Sequence, residues 1–235
     1  MNTYKSSFII LSCSFCTSVA QAQTSFTNLN FEAANIPSGS HVATFVPISE
    51  GLPGWSAYFT SGSTTEPQTQ VVYDGISTGG NGIAVIDKNE PTFGPLQGKY
   101  SAFLFGGGNE VLYSAAISQS GLVPTGTQSL LFDAYVYGAP FVITLSGQTI
   151  NMIPLQVFAD YTEYIGQVPS SLAGQSDTLV FTEPPEAPGS PQPSELELDN
   201  ISFSTMSAVP EPSIVILTVI GGLLFGAGKW LARRG

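Results

Sequence analysis

Three acidic residues near the end of the chain are spaced two apart and could carry acid–base chemistry. Glu195, Glu197 and Asp199 alternate with Leu196 and Leu198. On a β-strand such residues share one face, about 6.6 Å apart per step, and retaining glycosidases use two carboxyl groups about 5 to 5.5 Å apart. The same pattern is typical of an ordinary strand with leucines in the core and acids in solvent. We favour that second interpretation, because a proline-rich loop precedes the strand.

Residues for other kinds of catalysis are scarce. The chain has one histidine, His41, and both cysteines lie within the first 16 residues, inside the segment interpreted below as a signal peptide. One histidine and no mature cysteine exclude ordinary zinc sites and thiol proteases. Residues 75–79 match the G-x-S-x-G nucleophile elbow, but the helix and the later histidine that this motif needs do not follow. We therefore predict that the protein is not an enzyme; the alternative is a glycoside hydrolase acting on extracellular polysaccharide.

Tyrosines next to acids suggest binding rather than catalysis. Asp133, Tyr135 and Tyr137 project from one strand face, and a second tyrosine–acid group occupies residues 160–164. Tyrosine rings can stack on sugar rings, and acids beside them can accept hydroxyl hydrogen bonds. A structural role without a ligand is the competing hypothesis, since alternating aromatics often fill a core. An exposed row of two or more tyrosines would favour binding, whereas burial of all of them would favour a structural role.

The elements that position these residues have a period of two. Leu130, Phe132, Ala134 and Val136 share one face of a strand, and glycine-rich turns such as residues 146–148 separate it from other apolar runs. Further strand-like segments occupy residues 26–31, 83–86, 100–105, 111–117, 141–145, 149–153, 178–182 and 195–204. Many short strands predict an all-β fold, a sandwich of two antiparallel sheets and most simply a jelly roll, as one domain over residues 23–208. Residues 183–194 contain five prolines and are predicted to form a loop within this domain.

The last strand breaks its own alternation. Leu196 and Leu198 share one face, whereas Ile201 and Phe203 share the other, so we predict a β-bulge near Asp199 that restores a single buried face. A bulge also exposes carbonyl groups beside a carboxylate, and such oxygens suit calcium. The alternative is that Asp199 and Asn200 only satisfy the amides of the bulge.

Both ends of this domain resemble a known framework. Residues 30–32, the turn at residues 52–55 and residues 198–203 look like the framework of galactose-binding-like jelly rolls. This resemblance implies a domain of a kind that often binds carbohydrate, and the tyrosine–acid pattern makes Asp133, Tyr135 and Tyr137 the residues that we predict to do so. The resemblance also implies a structural calcium ion where the first and last strands meet, for which Glu32 and Asp199 are the ligands that we predict.

Charge is distributed very unevenly. All 17 acids lie between Glu32 and Glu211, and Lys88 and Lys99 are the only cations in that span, which gives it a net charge of −15. Such a surface excludes nucleic acid and anionic lipid as partners. It is compatible with a soluble domain outside the cell that attracts divalent cations.

An apolar run near the C-terminus predicts a transmembrane helix. Residues 214–228 carry no charge, and snorkelling by Lys229 extends the span to about residue 232. Pro210, Glu211 and Pro212 precede the run, and Arg233 and Arg234 follow it, which places the C-terminus in the cytoplasm. This arrangement over residues 209–235 resembles the PEP-CTERM sorting signal of Gram-negative bacteria, which implies processing by a membrane protease of the exosortase type.

The N-terminus predicts export as well. Residues 1–22 combine a short basic region, an apolar stretch and the cleavage motif formed by Ala20 and Ala22, which is typical of a secretory signal peptide. Signal peptidase and an exosortase-type enzyme are therefore the predicted processing partners. We expect a precursor anchored in the inner membrane and a product in the cell envelope or extracellular matrix, where a polysaccharide could be its partner.

Processing at both ends is testable by intact-mass spectrometry of the native product. We expect a mature N-terminus at Gln23 and removal of the helix near Pro212. Deletion of Arg233 and Arg234 should leave unprocessed precursor. Persistence of the full-length mass in cells with an active exosortase would contradict the sorting interpretation.

Overall fold

Short runs of β-branched and aromatic residues form strands through most of the domain, as the period of two predicts. The computed structural model describes residues 24–75, 82–90, 92–107, 112–186 and 194–208. The predicted signal peptide, with Ala20 and Ala22, and the sorting segment, with Pro210, Glu211, Pro212, Arg233 and Arg234, lie outside these residues. In the part that is described, no helix has the length and apolar character needed to span a membrane.

One short helix, α1 (Ile48–Gly51), and 14 strands make up the described elements. In chain order the strands are β1 (Thr44–Pro47), β2 (Ser56–Ser61), β3 (Thr64–Gln68), β4 (Gln70–Tyr73), β5 (Gly82–Ile86), β6 (Ser101–Gly106), β7 (Ser114–Leu122), β8 (Ser129–Tyr137), β9 (Val142–Leu145), β10 (Gln148–Thr149), β11 (Met152–Val157), β12 (Thr162–Gln167), β13 (Ser176–Glu183) and β14 (Ser194–Ser204).

These strands form a two-sheet β-sandwich, which confirms the predicted class. One sheet has eight strands in the order β1-β4-β5-β6-β14-β8-β12-β11, and the other has six in the order β10-β9-β13-β7-β2-β3. Named strands pair antiparallel except for β4 and β5, which pair parallel. Leu130, Phe132 and Ala134 on β8 point into the core between the sheets, as their alternation predicts. Phe132 packs against Phe181 of the opposite sheet, with ring centroids 5.3 Å apart.

The predicted β-bulge in the last strand is confirmed. The pairing of β14 with β8 shifts register between Asp199 and Ser202, and Asn200 between them has a φ of 54°. The extra residue turns Ile201 to the same side as Leu198, so both are buried in the core. Burial of the apolar side chains on one face therefore determines where the bulge must lie.

The prediction of a strand over residues 26–31 is wrong. This segment forms turns, and Asn28 and Phe31 have positive φ angles. Its backbone is bound by side chains instead of a β-ladder: Thr27 N–H donates to the Oε1 atom of Gln119 at 2.6 Å, and the indole N–H of Trp55 donates to the carbonyl of Asn28 at 3.1 Å. Phe31 still fills the core, with its ring 5.6 Å from that of Trp55.

One carboxyl group points into the sandwich. Glu183 at the end of β13 follows Leu179 and Phe181 on the inward face, and its side chain is 0 % exposed. Neither of its carboxyl oxygens has a hydrogen-bond partner. Burial raises the pKa of Glu183 to about 8, so the folded state keeps a proton that the unfolded state releases near its ordinary pKa of 4.5.

This proton makes stability depend on pH. Between about pH 4.5 and pH 8 the folded state binds more protons at Glu183 than the unfolded state, so the free energy of unfolding falls as the pH rises. Glu183→Gln has no carboxyl group at this position, so its free energy of unfolding does not fall for this reason as the pH rises. At pH 8.5 it should stabilise the protein by on the order of 4 kcal/mol, or on the order of 10 °C in Tm, and at pH 4.5 it should change Tm very little. Thermal melts of wild type, Glu183→Gln and the exposed control Glu66→Gln at both pH values test this; an equal effect of Glu183→Gln at both would contradict it.

Candidate functional site

The acids of β14 and the tyrosine–acid pattern of β8 lie on one surface. On the outer face of the eight-stranded sheet, Glu195 lies opposite Tyr137, Glu197 opposite Tyr135, and Asp199 opposite Asp133. Leu196 and Leu198 point the other way, into the core. The acids of β14 and the tyrosines of β8 therefore form one continuous surface.

The prediction that the acids of β14 face solvent is wrong for two of them. Glu197 and Asp199 are each only 1 % exposed. The reason is that residues 92–100, which we call the strap, lie over this face as part of the long connection between β5 and β6. Phe93 of the strap packs between Phe103 and Tyr135, with ring centroids 5.4 and 5.5 Å away. Glu197 is paired with Phe103 on one neighbouring strand and with Tyr135 on the other, so the Phe93 ring that contacts both also covers Glu197.

Carboxylates bind the backbone of the strap. Glu90, Asp199 and Glu32 each accept hydrogen bonds from its main-chain N–H groups; the donors are Thr92 and Phe93 for Glu90, Gln97 for Asp199, and Lys99 and Tyr100 for Glu32. The Thr92 and Lys99 bonds are both 2.6 Å long, and the Gln97 bond is 3.0 Å long. Hydrogen bonds to ionised acceptors are about twice as strong as neutral ones. The carboxylates therefore accept the main-chain hydrogen bonds that a neighbouring strand would accept in a β-ladder.

The strap also contacts β8 and the turn that precedes β12. The side-chain amide of Gln97 donates to the Oδ2 atom of Asp133 at 2.8 Å and to the hydroxyl of Tyr161 at 3.0 Å. Gly98, at a φ of +59°, lies against the Glu32 carboxylate, where an added Cβ would collide with it. The strap is thus fixed at one end by Glu32 and across its middle by Asp133, Asp199 and Tyr161.

Burial alters the acid chemistry of this surface. It raises the pKa of Glu197 to about 8 and that of Asp199 to about 7. For Asp199, the hydrogen bonds from Asn200, Gln97 and Ser101 act in the opposite direction. One oxygen of Glu197 has no hydrogen-bond partner. At neutral pH Glu197 is therefore mainly a neutral carboxylic acid.

A cleft of about 570 Å³ opens between the strap and the turn that joins β11 to β12. Tyr135 and Glu197 contribute to its floor, and Phe158, Asp160 and Tyr161 to the wall opposite the strap. Phe158 and Tyr161 stack with centroids 4.6 Å apart and an interplanar angle of 24°. Phe158 is 40 % exposed, so this pair presents an accessible aromatic surface at the rim.

The residues predicted to bind carbohydrate have different environments. Tyr135 lines the cleft and is partly exposed, whereas Tyr137 is 44 % exposed and lies outside the lining. The Asp133 carboxylate is buried and accepts hydrogen bonds from Gln97 and Asn200. The second group, around Tyr161, supplies the opposite wall. The sequence pattern does not single out Phe93 or Phe158, because both lie in connections between strands, where side chains do not alternate.

The two predicted calcium ligands bind neighbouring parts of the strap, Asp199 at Gln97 and Glu32 at Lys99 and Tyr100. The N–H group of Ile201 donates to the carbonyl of Leu29 at 2.9 Å, which brings the first segment beside the last strand, and the charge of Glu32 contributes to the raised pKa of Asp199. Both carboxylates already accept backbone hydrogen bonds. Among the described residues no group of three or more Asp, Glu, His or Cys side chains could hold a metal ion. Calcium at Glu32 and Asp199 stays a prediction.

Comparison with known proteins gives a weak structural resemblance. No protein-family model and no curated protein matches the sequence. Among solved structures, TmCBM61, in complex with β-1,4-galactotriose, is 11 % identical, with a TM-score of 0.40 over 78 % of this chain and 99 % of its own. A family 11 carbohydrate-binding module from Clostridium thermocellum, in complex with a β-1,3-1,4-mixed-linked tetrasaccharide, is 12 % identical, with a TM-score of 0.31 over 73 % of this chain and 100 % of its own.

Melting in EDTA and in millimolar calcium tests the metal prediction. If Glu32 and Asp199 bind calcium only in the folded state, a hundredfold excess over Kd stabilises the protein by about 2.7 kcal/mol, and Asp199→Asn removes this gain. Identical Tm values in both buffers, for wild type and variant, would contradict the metal site and leave Asp199 as an anchor of the strap.

Proposed function

We propose that the protein is an exported, non-catalytic carbohydrate-binding component of the cell envelope or extracellular matrix, with the cleft as its binding site. The observation that carries this proposal is the exposed Phe158–Tyr161 stack on the rim of a cleft of about 570 Å³. Small-molecule sites have volumes of about 300 to 1,000 Å³ and combine aromatic walls with a few polar groups.

The chemistry of the cleft suits a sugar. A pyranose ring has apolar C–H faces and a polar edge of hydroxyl groups, so it needs an aromatic surface beside hydrogen-bonding groups. Phe158 and Tyr161 offer the surface, and Tyr135 and Asp160 offer polar groups on two sides of the cleft. Tyr161 is fixed by Gln97 of the strap, which reduces the side-chain entropy lost on binding.

A glycoside hydrolase is the second candidate, because a raised pKa is what a general acid requires. Glu197 has such a pKa, and Asp160 is another carboxyl group in the lining. We favour binding without catalysis, since Glu197 is 1 % exposed beneath Phe93 and does not offer its carboxyl group to a glycosidic oxygen. Release of reducing sugar by wild type but not by Glu197→Gln would support the hydrolase instead.

The last described residues lie at the opposite end of β12 from the turn that lines the cleft. The described chain ends at Ala208, whose N–H group donates to the Oε1 atom of Gln167 at 3.1 Å. Gln167 ends β12, whereas the cleft lies along the first half of this strand, at Thr162 and Tyr164. Three to five residue steps separate these residues from Gln167, about 10 to 17 Å. A domain held by the sorting segment would thus present the cleft away from its attachment.

Loss of the exposed aromatic surface should weaken glycan binding. We expect Phe158→Ala to raise Kd for a bound oligosaccharide by about tenfold, the equivalent of 1.4 kcal/mol, with only a small loss of Tm because the side chain is 40 % exposed and packs on a surface residue. The matched control is Phe45→Ala on β1, since Phe45 is 64 % exposed at the opposite edge of the same sheet.

Isothermal titration with a panel of oligosaccharides measures this effect. The panel includes β-1,4-galactotriose, a mixed-linkage β-1,3-1,4 tetrasaccharide and cellohexaose. Wild-type affinity for at least one glycan, lost in Phe158→Ala and kept in Phe45→Ala, is the expected result. Absence of binding to every glycan, or equal loss in both variants, would favour a structural role.

A further inference from the structure

The charged side chains among the described residues that line the cleft are of one sign. In the part of the chain that the structure describes, Asp160 and Glu197 are the carboxyl groups that line it, and no Lys, Arg or His contributes to the lining. Between residues 24 and 208 the sequence offers only Lys88, Lys99 and His41 as cationic groups. The ammonium group of Lys99 lies over the ring of Tyr100, 4.7 Å from its centroid. An acidic ligand in the cleft would therefore find no cationic side chain among the described residues that line it.

The two carboxyl groups of the cleft differ in exposure. Glu197 is buried and, with its raised pKa, mainly protonated at neutral pH, so it adds little charge. Asp160 is exposed and lines the same wall of the cleft as Phe158 and Tyr161. A ligand that stacks on these rings inside the cleft therefore shares that wall with the Asp160 carboxyl group.

We infer that the cleft excludes acidic glycans and takes glycans without acidic groups, neutral or amine-bearing, and that Asp160 determines this selectivity. The inference rests on the proposed carbohydrate-binding function. A uronate or sulfate group on the ligand meets the Asp160 carboxylate without a compensating cation, which gives discrimination by repulsion. A protonated amine on the sugar is attracted to the same carboxylate. Neutral glycans depend on stacking and hydroxyl contacts alone.

The test uses glycans that share one backbone and differ in charge. Cellohexaose, its hexameric uronate and the hexamer of β-1,4-linked glucosamine are compared, together with an array of neutral, uronate, sulfated and free-amine glycans. The protein is the full chain, purified in detergent, at pH 6 and low salt. Asp160→Lys reverses the local charge. Glu66→Lys is the control, because Glu66 is exposed on β3 at the edge of the other sheet and gives the same change in net charge.

We expect wild type to bind neutral or free-amine glycans at least tenfold more tightly than their acidic counterparts. Asp160→Lys should gain about tenfold for the uronate, lose about tenfold for the free-amine glycan and change the affinity for the neutral glycan by less than about twofold. Glu66→Lys should leave all three within about twofold. These differences should shrink in 0.5 M salt, because surface charges are then screened.

Different failures have different meanings. Binding of acidic and neutral glycans with equal affinity by wild type would overturn the charge selectivity and leave the binding function intact. Equal effects of Asp160→Lys and Glu66→Lys would overturn the role of Asp160. Absence of binding to every glycan on the array would overturn the proposed function and this inference with it.

Discussion

Backbone N–H groups of the strap need acceptors once the strap lies against the sheet, and carboxylates supply them. Glu90, Asp199 and Glu32 accept bonds from five main-chain donors between Thr92 and Tyr100. These hydrogen bonds are part-buried or exposed, so each adds only modestly to stability, and it is the set of five that holds the strap against the sheet. The remaining features of the surface depend on this contact, because the strap buries Glu197 beneath Phe93 and forms one wall of the cleft.

The same burial has an electrostatic cost. Removing Glu197 and Asp199 from water raises both pKa values, and Glu183 at the end of β13 is affected in the same way. Some acids of this strongly acidic chain are therefore protonated, and uncharged, at neutral pH. The acids therefore divide by location into those that hold the strap, those that stay protonated in the interior, and exposed ones such as Asp160 that are free to meet a ligand.

Sequence periodicity predicted the parts of the fold that local rules control. The alternation in β8 gave the inward face at Leu130 and Phe132, and the parity break in β14 gave the bulge, because a strand must keep its apolar side chains on one side. The strap was not predictable, since its order comes from carboxylates as distant in sequence as Glu32 and Asp199. For the same reason the prediction that the acids of β14 face solvent is wrong for Glu197 and Asp199. The candidate site was found in part: Tyr135 and Tyr161 lay beside acids, but Phe158 lies in a turn that carries no period.

Amide hydrogen exchange, followed residue by residue by NMR, tests most directly whether carboxylates hold the strap in place. The account predicts that the amides of Thr92, Phe93, Gln97 and Lys99 exchange nearly as slowly as those of β8 and β14, although the strap has no β-ladder. It predicts further that Asp199→Ala abolishes protection at Gln97 and spares Thr92 and Phe93, which Glu90 binds. Exchange of these amides in the wild type at the rate of an exposed loop would contradict it.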